Sequence, residues 1–161
     1  MELICIDLEA SGLGAESYPI EVAWKNDLTG EQDSFLIDPD TAEGWQYWDE
    51  YAEEMHGIER EELNKKGLDI ISACKRLNEK LKDKILISDA CEFDLFWLTR
   101  LFEATGMKPN FEMAGLDRVL SKEQRIQFGF LAKAQARKHR ALQDVEDIIT
   151  CIKAVSCETG A

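Results

Sequence analysis

The sequence predicts an α/β fold, and three observations carry that prediction. Residues 2–10 are a mostly apolar, β-branched run that stays apolar on both alternations until Asp7, as a strand buried on both faces requires. Two more strand patterns follow directly. Beyond Pro39 the apolar spacing changes to that of helices, with another short strand between them.

In order, Ser11-Gly12-Leu13-Gly14 reads as a turn after the first strand. Residues 20–24 and 34–37 are the second and third strands of a meander, joined through Asn26-Asp27-Leu28-Thr29-Gly30, a composition suited to a hairpin turn. Ile70, Cys74, Leu77 and Leu81 recur at i, i+4, i+7 and i+11, one face of a helix. Residues 85–88 are a short strand. Residues 93–102 form a second helix, apolar nearly all round (Leu95, Phe96, Trp97, Leu98, Leu101, Phe102) and so expected to be well buried. Gly106 closes it and Lys108-Pro109 marks the break. Residues 110–120 stay open, a short strand followed by a turn of helix being one reading. Residues 121–138 read as helix with a breaker at Gly129, and Ala141, Val145, Ile148, Ile149, Ile152 and Val155 mark a final amphipathic helix. No repeat or linker interrupts the pattern, so residues 1–161 are expected to form a single three-layer domain.

Composition narrows the class. With 161 residues and 45% apolar content, the chain can bury roughly two thirds of its unfolded surface, which argues against disorder. No apolar run approaches the ~18–20 residues of a membrane span. The start, Met1-Glu2-Leu3-Ile4-Cys5-Ile6-Asp7, lacks the basic stretch of a signal peptide, which points to the cytoplasm. Cys5, Cys74, Cys91, Cys151 and Cys157 are odd in number and scattered, against a disulfide framework or a zinc site. A net charge of −13 opposes binding to a polyanion. The charge is segregated, however. Residues 1–63 hold 18 acids and only two bases, Lys25 and Arg60. Residues 118–140 carry Arg118, Lys122, Arg125, Lys133, Arg137, Lys138 and Arg140 against Glu123 alone, a pattern of a solvated helix face or of a strip for phosphates.

Asp7 and Glu9, at i and i+2 near the end of a buried strand, project to one face. Two carboxylates buried side by side are costly unless cations compensate, and hard divalent ions suit carboxylate oxygens best. The string D-x-E decides nothing alone, since Asp144-Val145-Glu146 repeats it. Asp94 opens the buried helix after a strand, where it also suits the helix dipole. In His139-Arg140-Ala141-Leu142-Gln143-Asp144 the two end residues converge only if His139 lies in the loop before the helix and Asp144 within its second turn.

These three elements, in this order, resemble the DEDDh branch of the DnaQ-like 3′–5′ exonucleases over about residues 3–155, and Met55-His56-Gly57-Ile58 is similar to that family's H-G-I segment. The resemblance implies a ribonuclease H-like α/β fold, a five-stranded mixed sheet flanked by helices. It implies Asp7, Glu9, Asp94 and Asp144 as metal ligands and catalytic carboxylates, and His139 as catalytic base. Two divalent metal ions, Mg²⁺ or Mn²⁺, roughly 4 Å apart, would clamp a scissile phosphate, with Asp7 bridging both, Glu9 and Asp144 on the first and Asp94 on the second. His139 would take the proton of the attacking water. The expected substrate is the 3′ end of single-stranded DNA or short RNA, and the product a nucleoside 5′-monophosphate.

Ala10, Ser11, Gly12 and Leu13 are expected to line the terminal nucleotide, with His56 and Phe93 as further substrate contacts. His56 equally suits a loop histidine satisfied by its neighbours. Many relatives carry Thr or Ser where this chain has Ala10. Short-loop relatives place Asn three or four residues before the aspartate, whereas here Asp89 stands five before Asp94, a spacing more similar to the oligoribonuclease group and with an acid in place of the usual amide, and it is not taken as a ligand. Trp45, Tyr47, Trp48 and Tyr51 lie among acids, which favours packing or a protein contact over base stacking. The partner is open between a homodimer and a polymerase-type complex. A rival reading is a non-catalytic acidic interaction protein on the same fold, binding a basic partner.

Overall fold

A computed structural model describes residues 2–135 and 137–158. Five strands form one sheet: β1 (Ile4–Ala10), β2 (Pro19–Asn26), β3 (Gln32–Leu36), β4 (Ile85–Ile87) and β5 (Glu112–Ala114), in the spatial order β3-β2-β1-β4-β5. The first three strands are antiparallel neighbours, whereas β1–β4 and β4–β5 run parallel, so the sheet is mixed as expected. Six helices complete the fold: α1 (Glu50–His56), α2 (Arg60–Lys66), α3 (Ile70–Leu81), α4 (Cys91–Thr105), α5 (Lys122–Ala134) and α6 (Ala141–Glu158). Among the described residues, no helix is long and apolar enough to cross a membrane.

The alternation of β1 sorts its side chains between two cores. Ile4, Ile6, Leu8 and Ala10 pack with β2 side chains against Ile70, Cys74, Leu77 and Leu81 of α3 and Trp97, Leu98, Leu101 and Phe102 of α4. Cys5 turns the other way with Ala23 and Ile87, onto Val145, Ile148, Ile149 and Ile152 of α6, with Phe128 of α5 behind. The result is a three-layer α/β/α arrangement. Asp7 and Glu9 share the parity of Cys5.

Four local expectations are corrected. Gly129 does not break α5, which runs through it. A mid-helix glycine costs ~1 kcal/mol against alanine, and the Ser121–Gln124 capping box together with buried Phe128 holds the helix regardless. This helix ends at Ala134, and Ala136, inside the stretch expected to be helical, lies outside the described residues. The apolar periphery of α4 is not all buried: Phe93, Leu95 and Phe96 are 47%, 47% and 41% exposed. The third strand begins and ends earlier than its apolar run, and Ile37 just beyond it bridges Leu68 while still donating its N–H to Ile20 O. The open stretch 110–120 resolves into β5 and a 3₁₀ turn, Leu116–Arg118.

Candidate active site

The site gathers at the C-terminal ends of β1 and β4, where parallel neighbours diverge into their connections. Asp7 is 1% exposed and Glu9 half-buried. The register of β1 against β2 shifts between Glu9 and Ala10, placing Glu9 opposite Glu21 and Ala10 opposite Pro19. Such a bulge re-aims the side chains at a strand end. Asp94 and Asp144 come from the first turns of α4 and α6 and are almost fully buried. Ser88, just past β4, donates from Oγ to Asp94 Oδ2 at 2.5 Å and accepts the Ala90 N–H at 3.0 Å, so the strand end fixes that carboxylate.

His139 precedes α6 with its backbone in the left-handed region, φ 55°. The residues after it are clasped from β2: Glu21 Oε1 accepts the Ala141 N–H at 2.8 Å and Arg140 Nε at 3.2 Å, and Oε2 accepts Arg140 Nη2 at 2.8 Å. Asp144 thus falls in the first turn of α6 rather than the second, and it meets the histidine across the site.

The side chains form two groups. Glu9, His139 and Asp144 each offer an atom within 4.8 Å of the others, and so do Asp7, Asp89 and Asp94. Arg137 reaches into the carboxylates, Nε lying 3.3 Å from Asp144 Oδ2 and Nη2 3.4 Å from Asp7 Oδ1. Burial dominates the acidities. Asp7 is held well above the ordinary carboxylate range by desolvation, then by the charges of Asp94 and Glu9. Burial, with the hydrogen bond to and charge of Asp144, pushes Glu9 up to about 9. Asp94 rises to about 7 through burial, against the lowering effect of the Ser88 hydroxyl.

Among the described residues, Asp7 Oδ2, Asp89 Oδ1 and Asp144 Oδ1 are buried with no hydrogen-bond partner. Buried carboxylate oxygens left without donors are the ligand set of a hard divalent cation, and these clusters fit one.

Beside the carboxylates opens a cleft of about 350 Å³. Asp7, Glu9, Asp94, His139, Ala10, Gly12, Leu13, His56 and Phe93 all line it. Leu13 is 73% exposed, and Phe93 leans on Trp97 with ring centroids 5.8 Å apart. Buried His56 accepts the Ile58 N–H at Nδ1, which leaves Nε2 as the protonated nitrogen, and desolvation lowers its pKa.

Comparison with known proteins adds a fold. No protein-family model matches the sequence, and no curated protein matches it. Solved structures of exonuclease I from E. coli do superpose. Its zinc-bound complex with single-stranded DNA aligns with a TM-score of 0.77 at 17% identity, over 98% of this chain and 41% of that one. The metal-free form of the complex gives 0.74 at 16%, over 98% and 40%. A complex with a dA16 oligonucleotide gives 0.74 at 16%, over 95% and 41%. The likeness is one of fold. It is the ribonuclease H-like α/β arrangement, and the chain spans about two fifths of the length of these neighbours.

Some expected contacts are corrected. Ser11 does not reach the cleft: it is fully buried, its Oγ accepts the Tyr18 N–H, its own N–H donates to Tyr18 O and its carbonyl accepts the Asp49 N–H. Asp89, set aside from the sequence, sits among the carboxylates. The basic run is not wholly available to phosphate, since Arg137 is paired with Asp7 and Asp144, and Arg140 with Glu21. Of the aromatic cluster, Trp45 stacks on Tyr18 and Trp48 donates to Glu53, which is packing as favoured. Tyr51 is instead 72% exposed on the cleft wall.

Sequence reasoning missed Arg137 and Glu21. The only signal for Glu21 was an acid in an otherwise apolar strand, and for Arg137 its closeness to His139.

Proposed function

We propose that the chain is a divalent-metal-dependent 3′–5′ exonuclease of the DEDDh type, releasing nucleoside 5′-monophosphates from single-stranded nucleic acid. The observation that carries this reading is that Asp7, Glu9, Asp94 and His139 line one cleft and Asp144 groups with Glu9 and His139 beside it, with buried oxygens among them that have no partner among the described residues. Exonuclease I, the neighbour in fold, is seen in complexes with single-stranded DNA.

Glu9 and Asp144 would hold one Mg²⁺ or Mn²⁺ ion, and Asp7 and Asp94 a second. When bound, the ions supply charge stabilisation to the phosphate and acidify water. The chain's own groups do the rest. His139, on its clasped loop, takes the proton of the attacking water as general base. Ser88 holds the Asp94 carboxylate in one orientation. Leu13 and Phe93 offer apolar surface to the base and sugar of the terminal nucleotide, and His56 Nε2–H can donate to it.

The decisive assay is incubation of 3′-ended single strands with the protein and Mg²⁺ or Mn²⁺. The reading requires 5′-mononucleotides, lost in Asp7→Asn and His139→Ala. If neither ion supports release while a known exonuclease works alongside, the reading is wrong. An acidic binding protein on the same fold would moreover show no stoichiometric Mn²⁺ uptake by calorimetry.

A further inference from the structure

We infer that Asp89 is an additional ligand of the second divalent ion, which would then be gripped by three carboxylates, Asp7, Asp89 and Asp94; this rests on the metal-dependent reading of the site. The placement is specific. β4 ends at Ile87, Ser88 is committed to Asp94 and to the Ala90 N–H, and Asp89 is the next residue, at the mouth of α4. From there one of its oxygens lies within 4.8 Å of ligand atoms on both Asp7 and Asp94. Oxygens bound to one Mg²⁺ at 2.0–2.1 Å are separated by at most about 4 Å, so a side-chain adjustment of under about 1 Å lets one ion touch all three.

Two orphaned oxygens point to the same conclusion. Asp7, 1% exposed, has Oδ2 buried without a partner while its Oδ1 faces Arg137, and Asp89 has Oδ1 buried without a partner. Among the described residues no Lys, Arg or His forms an ion pair with Asp89. Arg137, the nearby cation, pairs directly with Asp7 and Asp144 and acts on Asp89 only by its charge at longer range. A buried carboxylate oxygen with no donor and no direct ion pair is expensive to keep, and an ion between Asp89, Asp7 and Asp94 relieves all three at once. The other group differs in kind, since it has only two carboxylates, Glu9 and Asp144, beside the His139 imidazole that the proposed function keeps free as a base. The Asp89 group is thus the more anionic and the purer oxygen site. It should hold its ion more tightly than two carboxylates could, because charge count sets affinity for hard cations.

The test is calorimetric titration of the full chain with Mn²⁺, for wild type, Asp89→Asn and Asp89→Ser, with metal-free thermal melts of each. The expected result is two ions on the wild type, and on both variants one site unchanged within about twofold and the other weakened by about tenfold or more. The Mn²⁺-induced rise in Tm should shrink in parallel, with metal-free melting temperatures equal to or above that of the wild type. Unchanged affinities at both sites in the variants, beside two sites on the wild type, would overturn the role of Asp89 alone. Equal weakening of both sites would overturn it too, marking a general disturbance. No Mn²⁺ uptake by the wild type would overturn the metal-dependent reading itself.

Discussion

Replacing Arg137 with methionine keeps the length of the side chain and removes the cation that stands among the site carboxylates. Its contacts, 3.3 Å to Asp144 and 3.4 Å to Asp7, are longer than the 2.7–2.9 Å of a strong charge-assisted hydrogen bond, and the side chain is 46% exposed. Its partners, by contrast, are buried. Stripping a fully buried charge of its partner costs about 3–5 kcal/mol. Solvent screening of a half-exposed guanidinium reduces that to about 1–2 kcal/mol. For a chain of this size such a loss lowers Tm by about 2–8 °C in the presence of chelator.

Metal ions on the same carboxylates must displace the guanidinium, so the deficit should vanish at saturating Mn²⁺. By linkage, Arg137→Met should bind Mn²⁺ about 5–30-fold more tightly than the wild type. Thermal melts with and without Mn²⁺, together with a calorimetric titration, measure both quantities. An equal Tm deficit in chelator and in Mn²⁺, with affinity unchanged or weakened, would refute the reasoning, because it would mean that Arg137 keeps its place beside bound ions.

Other outcomes follow from the same geometry. Asp7, Glu9 and Asp94 have folded-state pKa values raised above their unfolded values, so the metal-free fold binds more protons than the unfolded chain between about pH 4 and pH 9. Their contribution is present in full below pH 4 and is lost as pH rises through about 7 for Asp94 and about 9 for Glu9. Melting temperature in chelator should therefore fall from pH 5 to pH 9, with a shallower slope in Glu9→Gln; a matching slope in that variant would contradict the assignment. Glu21→Gln loosens the clasp on Arg140 and Ala141, and should lower kcat by about ten- to a hundredfold with KM little changed. A KM effect alone would count against positioning of His139. Gly12→Ala would set a Cβ 2.7 Å from Tyr47 Cε1 and 3.0 Å from Asp49 Cβ, and should cost about 1–3 kcal/mol in urea unfolding. Gly14→Ala, whose Cβ meets nothing closer than 3.8 Å, should be near neutral, and equal losses would remove the packing explanation.

The fold was legible where one segment determines its own structure. The apolar period over 70–81 and the left-handed cap at Gly106 appear as the pattern indicates, because a helix face and its terminator are local properties. Asp7 and Glu9 on one strand face follow from period two in the same way. What escaped depends on distant partners. The hydroxyl of Ser11 is turned inward by Tyr18, and its carbonyl is held by Asp49. Glu21 and Arg140 meet across 119 positions, and Arg137 and Asp7 across 130, which no periodicity encodes. The outer face of α4 misled for another reason: a side chain that lines a cleft, like Phe93, carries the same apolar signature as one in a core.

The left-handed backbone at His139 has a use in chemical rescue. An L-residue with a side chain pays about 1–2 kcal/mol to stand at φ 55°, whereas glycine adopts that conformation freely. His139→Gly thus removes the imidazole without disturbing the loop, and it leaves beside Glu9 and Asp144 a vacancy of the shape of the lost ring. Free imidazole diffusing into that space is positioned to replace the proposed base. A conformation that exacts a small strain in the native chain thereby makes this position open to chemistry supplied from solution.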